Sequence, residues 1–512
     1  MTSQLAAKTD KYRCMWRDNP ATTMVVGWNQ ITGSNPILYY DEVPRGNDPL
    51  MYAKRQAPDH AIQAKGMRNR FVRLKNLKPN TTYYFIIKDS DGVSRPLSFH
   101  TMPDNAYERL SIIAGGDSRN YRDARRRANA LVGKLRPHFV LFAGDMTGGD
   151  DSKQWQQWFN DWQLTITPDG RLTPIVVARG NHEASNKTLI DLFDVPHAGV
   201  YYALHFGGDL LSVYTLNSMI ASGGKQMQWL QTQLKDNSNT TWKMAQYHHS
   251  IRPHTAKKPE KLELQKNWSP LFHKYKVKVA IESDAHVVKT TYPIRPSNET
   301  GSDEGFIRDD ENGTVYIGEG CWGAPLRDSN DAKKWTRSSG SFNQFKWLFI
   351  DQERIEIRTI KTDFAEQTEV ISKHNVFQIP SGLRIWNPLE GDVIKIRRKK
   401  IVVADNHQPN TGNTKTTASP NGQLPKAKLP PISKLYASGG QVKVGYSIEQ
   451  VGEVVLSLLN KKMQRIRKAT HTHTTTGKML QNFDVGGLPA GNYTLVVKQK
   501  NTIICRYELV KK

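Results

Sequence analysis

Five short polar clusters each stand at the end of an apolar run. They are Gly116-Asp117-Ser118-Arg119, Gly144-Asp145-Met146-Thr147, Gly180-Asn181-His182-Glu183, Tyr247-His248-His249 and Ser283-Asp284-Ala285-His286. Together they offer carboxylates, an amide oxygen and imidazoles. That set suits iron, zinc or manganese better than magnesium or calcium. Each cluster alone has a plain structural reading. An Asp before a helix caps it, Gly-Asp is a common turn, and a buried His often makes only a structural hydrogen bond. The ordered occurrence of all five is what points to a metal site.

The clusters need elements to position them. Short apolar runs at 110–114, 139–143, 174–178, 210–216, 242–245 and 277–281 read as buried strands. Helical stretches alternate with them. One covers 122–135 and is stopped by Pro137, and another carries Trp155, Trp158 and Trp162 at helical spacing, read as core packing. This alternation predicts an α/β domain over 106–365. In such sheets the loops at the strand C-termini build the site, so the five clusters should converge. Residues 12–103 show only short strands and turns, as in 23–28, 37–40 and 82–87, and predict an N-terminal β-sandwich. An extension and linker follow over 366–433, rich in Asn, Thr, Gly and Pro from 405 onward. Residues 434–512 return to strands and predict a C-terminal β-sandwich. The expected fold class is therefore multidomain, with an α/β centre between two β domains.

Composition bounds the partners. The chain has 512 residues and a formal net charge of +24, which invites a nucleic-acid reading. The distribution argues otherwise. Residues 371–512 hold 23 Lys and Arg against 7 Asp and Glu, so most of the excess lies in the tail, away from the candidate site. Nucleic acid is not expected as the main ligand. No apolar run is long enough to span a bilayer. The three cysteines lie far apart and form no C-x-x-C motif. Residues 1–10 lack a signal-peptide apolar stretch, so the chain is either intracellular or has lost a leader.

The motif set resembles the calcineurin-like metallophosphoesterase superfamily, and within it the purple acid phosphatase-like branch. The resemblance implies an αββα catalytic sandwich, a fibronectin type III-like N-terminal domain (suggested also by 77–84) and one or two divalent or trivalent metal ions, Fe, Zn or Mn. It implies that Asp117 and His286 hold a first metal, Asp145 bridges, and Asn181 and His248 hold a second. Such a centre carries a hydroxide nucleophile for attack on a phosphate ester. His182 and His254 are then the candidate acids or phosphate-orienting groups. His249 is expected beside the ligands.

Three positions depart from the family pattern. Gly148 stands where purple acid phosphatases have a metal-binding Tyr, so the protein should not be purple. Arg119 stands where other members have a His, and could clamp a phosphate oxygen or pair with a site carboxylate. Asp284 replaces an imidazole and is expected to be a ligand. One metal rather than two is consistent with these changes.

Gly487-Leu488-Pro489-Ala490-Gly491-Asn492-Tyr493 and the strand after it resemble the C-terminal sorting domain of type IX secretion cargo. The resemblance implies a bacterial protein at the cell surface or secreted, with the secretion machinery as partner. The expected function is hydrolysis of a phosphorylated small molecule, with monoesters favoured. The alternatives are a phosphodiesterase or nucleotidase on the same site, or a surface-binding protein whose metal centre is lost.

Overall fold

The computed structural model describes residues 7–398, 432–437, 440–448, 450–460, 465–499 and 502–511. The chain divides into two compact units, Met1–Val403 and Ala404–Lys512. Among the described residues, no helix is long and apolar enough to cross a membrane.

The first unit begins with two four-stranded sheets. One runs Thr9–Met15, Met24–Gln30, Met67–Leu74, His60–Ala64, and the other Lys54–Gln56, Ile37–Asp41, Thr82–Lys88, Leu97–His100. Trp28, Leu38, Phe85 and Phe99 are buried between them. This β domain packs on the residues that follow. Trp16 sits edge-on to Phe139 and Phe206, with centroids at 5.8 and 5.5 Å. Arg13, fully buried, lies over the rings of Phe71 and Phe159 and donates to the Leu192 carbonyl.

Two larger sheets make the centre. The six-stranded sheet runs Ile175–Val177, Phe139–Phe142, Leu110–Gly115, Gln344–Ile350, Arg354–Lys361, Val393–Arg397, and its first three strands are parallel. The seven-stranded sheet contains the parallel run Leu211–Thr215, Trp242–His249, Val277–Ser283, Val315–Gly318. Period-two alternation shows how this second sheet is buried on both faces. Val213, Met244, Val279 and Val315 join the large core shared with the first sheet. Their neighbours Tyr214, Ala245, Ala280 and Tyr316 face the other way, into a core with Leu230, Trp268 and Phe272. Those three come from the helices α4 (Gly224–Asp236) and α5 (Leu262–Lys274).

On the first sheet, α1 (Arg122–Leu135) and α2 (Ser152–Trp162) give the outer layer. Trp155, Trp158 and Trp162 are core residues, and the last two stand edge-on to Phe142. The remaining helix, α3 (Asn186–Phe193), follows the Asn181 loop. The first unit is thus sheet-rich, with a core of two sheets between helices.

The segment expected as extension and linker divides. Residues 366–398 stay on the first unit and end in Val393–Arg397, which pairs with Arg354–Lys361. Residues 399–431, which hold most of the expected linker, lie outside the described residues. The second unit has a five-stranded sheet, ordered Ile432–Ala437, Thr502–Lys511, Gly491–Gln499, Gly452–Leu459, Arg465–His473, and the pair Gln441–Ile448 with Gly477–Asp484. Val444, Leu456, Phe483 and Leu495 share its core.

Candidate metal centre

The sheets bring the clusters together because parallel strands put their C-termini on one edge. Asp117, Asp145 and Asn181 follow the three parallel strands of the six-stranded sheet. His248 is the penultimate residue of Trp242–His249, while Asp284 and His286 follow Val277–Ser283. Hydrogen bonds across the gap set the spacing. The Asp284 amide donates to Asp117 Oδ2 at 2.8 Å, and His248 Nδ1 donates to the Ala143 carbonyl at 2.9 Å.

The backbone at this edge is strained. Asp117, Asp145, Asp284 and His286 have φ of 56°, 55°, 70° and 57°. Non-glycine residues in the left-handed region cost energy and cluster at functional sites. Gly180 is required by close approach, since a Cβ there would lie 2.2 Å from Asp145 Oδ1. The fully buried Glu183 holds the loops, accepting from the amides of Asp145, Met146 and Gly180 at 3.1, 2.8 and 2.7 Å. Burial, and then the neighbouring Asp145, push its carboxyl up to about 7.

The donor atoms of Asp117, Asp145 and His286 all lie within 4.8 Å of one another. His286 Nε2 is 3.0 Å from Asp117 Oδ1, and its Nδ1 donates to the Pro325 carbonyl at 2.8 Å. His248 is built alike. Its Nε2 is 3.0 Å from Asn181 Oδ1, 3.4 Å from Asp145 Oδ1 and 3.7 Å from Asp284 Oδ1. A carbonyl can only accept, so each Nδ1 donates to it, and each Nε2 is turned toward the carboxylate cluster. That is how metal-binding histidines are oriented. Burial opposes a charge on His248, yet Asp145 and Asp117 outweigh it and raise its pKa well above the ordinary value. The cluster is one of concentrated negative charge that attracts a cation. The residues present fit a metal, with Asp117, Asp145 and His286 on one side and Asp145, Asn181, His248 and Asp284 on the other.

The departures have local causes. Asn120 takes the space beside Gly148, where a Cβ would lie 2.2 Å from its Nδ2, and its Oδ1 accepts from the Gly148 amide. The Gly148 carbonyl accepts from His182 Nδ1 at 2.6 Å. His182 Nε2 then faces the cluster's rim, 3.7 Å from Asp145 Oδ2, with the side chain 24% exposed. Arg119 is half-buried, and its Nε is buried without a hydrogen-bond partner. It makes no ion pair among the described residues, so pairing with a site carboxylate is not what is seen. Arg125, clamped to Asp161, bonds the Arg119 carbonyl.

His254 is placed otherwise than expected. It is fully buried, its Nε2 is 2.6 Å from Thr336 Oγ1, and its Nδ1 donates weakly to the Arg252 carbonyl at 3.4 Å. The ring packs edge-on to Trp335. Both of its nitrogens are engaged within the protein, so it is not presented to the cluster as expected. His249 turns away from the carboxylates, its Nδ1 3.3 Å from the Ser218 carbonyl.

Sequence reading missed three contributors. Glu183 was hidden inside Gly-Asn-His-Glu, where its signal was available. Lys258 has no motif; its Nζ bonds Asp284 Oδ1. Lys289 forms a fully buried triad with Glu282 and Glu319, at 2.6 and 2.5 Å. Glu282 in turn accepts from Tyr247 Oη and the Ile251 amide, and Glu319 from the His254 amide. The triad ties the strands Val277–Ser283 and Val288–Thr291 and the end of Val315–Gly318 to the loop that carries Ile251 and His254.

Two sheets packed face to face between helices, with this donor set on their common edge, define a metallophosphoesterase-type core. Residues 100–288 match the calcineurin-like phosphoesterase family model, and residues 10–101 match that of the purple acid phosphatase N-terminal domain. The chain is therefore a phosphoesterase, with a purple acid phosphatase N-terminal domain ahead of a calcineurin-like phosphoesterase domain. No curated protein matches the sequence. Among solved structures, the purple acid phosphatase PPD1 from yellow lupin (Lupinus luteus) seeds matches with a TM-score of 0.55 at 14% identity, covering 73% of this chain and 76% of its own. PhoD matches with a TM-score of 0.55 at 11% identity, covering 79% of this chain and 94% of its own. At such identities the likeness concerns the fold.

Proposed function

We propose that the chain hydrolyses phosphate monoesters of small molecules, with one or two ions of iron, zinc or manganese at the Asp117–Asp145 edge. One observation carries the reading: the donor atoms of Asp117, Asp145 and His286 lie within 4.8 Å of one another. Bound there, a metal supplies Lewis acidity, which neutralises phosphoryl charge and makes water acidic near neutral pH.

The protein's own groups do the rest. His182, fixed through Nδ1 on the Gly148 carbonyl, holds its Nε2 at the rim, within reach of a leaving oxygen that needs a proton. Lys258 brings an ammonium to Asp284, and Arg119, two residues past Asp117, makes no ion pair among the described residues and leaves its guanidinium charge for a phosphate. Two such cations favour a dianionic monoester over a monoanionic diester. The buried Glu183 and the Lys289 triad keep the loops in place. A competing reading as a binding protein without catalysis is set aside, since the chain is a phosphoesterase.

The test pairs metal analysis of the purified protein with hydrolysis of phenyl phosphate and diphenyl phosphate after adding manganese, zinc or iron. Faster turnover of the monoester supports the proposal. Preference for the diester would replace it with a phosphodiesterase, and absence of both metal and turnover would remove it.

We also propose export through type IX secretion, with the second unit as sorting domain. The Pro489 turn and Gly491–Gln499 strand support this, with Tyr493 Oη donating to the Pro489 carbonyl at 2.8 Å. The fibronectin type III-like character of the N-terminal domain belongs to the same proposal. Fractionation of a secreting bacterium tests export; retention of the protein in the cytoplasm would end that reading.

A further inference from the structure

A cavity of about 1110 Å³ has His249, the neighbour of His248, in its wall, and no step of the proposed hydrolysis uses it. We propose that it binds the organic part of the substrate, and that this part carries an aromatic ring. The proposal rests on the phosphomonoesterase reading and adds the substrate class.

Position comes first. His249 lines the cavity and directly follows His248, with the two ring centroids 5.4 Å apart. Lys258 bonds Asp284, while Glu260 and Lys261, two and three residues on, line the cavity. Two separate chain segments thus run from the carboxylate cluster to the cavity wall. An ester with its phosphate at the cluster has its alcohol portion within reach of that wall.

Size leaves room for far more than a phosphate. Pockets for metabolite-sized ligands span about 300–1,000 Å³, and this cavity reaches that scale. Its chemistry selects a ring. Tyr201 and His197 both line it, and the Tyr201 ring packs at a tilt against His197 and Trp229, at centroid distances of 4.1 and 5.0 Å. Those tilted contacts steady the Tyr201 ring, so that it loses little freedom when a ligand ring stacks on it. Ile220 and Leu262 add apolar wall, and Leu262 is 58% exposed, an apolar side chain left to water at the start of α5.

The experiment compares 2-phenylethyl phosphate with propyl phosphate, whose leaving alcohols are similar in basicity. The metal-loaded full chain should show kcat/KM about ten-fold higher for the phenylethyl ester, through KM, as ring stacking predicts. Tyr201→Ala should remove most of that preference and leave propyl phosphate within about two-fold of the parent. Ile220→Asp serves as the second variant should Tyr201→Ala not fold. Equal rates on both esters, or a preference unchanged in a folded variant, would overturn the proposal while leaving the phosphatase reading intact. Should neither ester turn over, the phosphatase reading fails on its own. Calorimetry with 2-phenylethylphosphonate and propylphosphonate then decides the cavity: binding of the former alone, lost in Tyr201→Ala, upholds it, and equal or absent binding rejects it.

Discussion

Asp145 is the residue on which both halves of the metal centre meet. Its carboxylate lies with Asp117 and His286 on one side and 3.4 Å from His248 on the other. Losing an outer partner of a metal ligand typically costs about 10–100-fold in affinity or activity, so Asp145→Asn should cost more than that. Metal content and turnover should fall together; unchanged turnover would show that the bridge is not used. Lys258 bonds Asp284, a candidate ligand, so its variant is read with metal content measured alongside turnover. A hydrogen bond to a charged group contributes about 1.5–3 kcal/mol, so Lys258→Met should lower kcat/KM for a monoester by about 10–100-fold. The loss should be smaller for a diester, and steady-state kinetics on both esters reads the difference. The residue scale also shows what side-chain type alone conveys. His248 and His254 look alike in sequence, yet one presents Nε2 to carboxylates and the other is tied to Thr336.

The loops are held by elements whose own fixings can be tested. Lys289 is fully buried between Glu282 and Glu319. Removing one partner of a buried ionic group leaves charge uncompensated and costs about 3–5 kcal/mol. Lys289→Met should lower stability by that amount in denaturant unfolding. A second fixing joins α1 to α2, where Arg122 and Arg125 both bond Asp161. Burial raises the Asp161 carboxyl, but the hydrogen bonds from Arg122 and Arg125 outweigh it and hold its pKa below the ordinary value. A carboxyl depressed in the folded state stabilises above its unfolded pKa of ~3.9, and that contribution is lost as pH falls through the folded value. Asp161→Asn should therefore be less stable than the parent at about pH 7, with the gap narrowing below about pH 4. Unfolding curves across that range give the answer; a gap independent of pH would assign the loss to packing.

For the whole molecule, every candidate site residue and the last strand of the six-stranded sheet, Val393–Arg397, precede the second unit. A chain ending at Val403 should keep the parent's kcat/KM within about two-fold, while shedding much of the basic charge; a larger loss would give the second unit a part in catalysis. Chain order alone made much of this molecule legible. The strand-then-cluster rhythm announced parallel sheets with a site at their C-terminal edge, because a parallel strand needs a crossover connection, usually a helix, and so repeats in sequence. The helix at 122–135 and the tryptophans of α2 were readable for the same local reason: apolar spacing and a stopping proline act within a few turns. What sequence could not convey were contacts made across the gap between two sheets. Lys258 reaches Asp284, Asn120 fills the place beside Gly148, and His254 turns inward only because the chain is packed in three dimensions. Local pattern decides which residues stand at a strand's end; only the packing of one sheet on another decides which way their side chains face and what they meet.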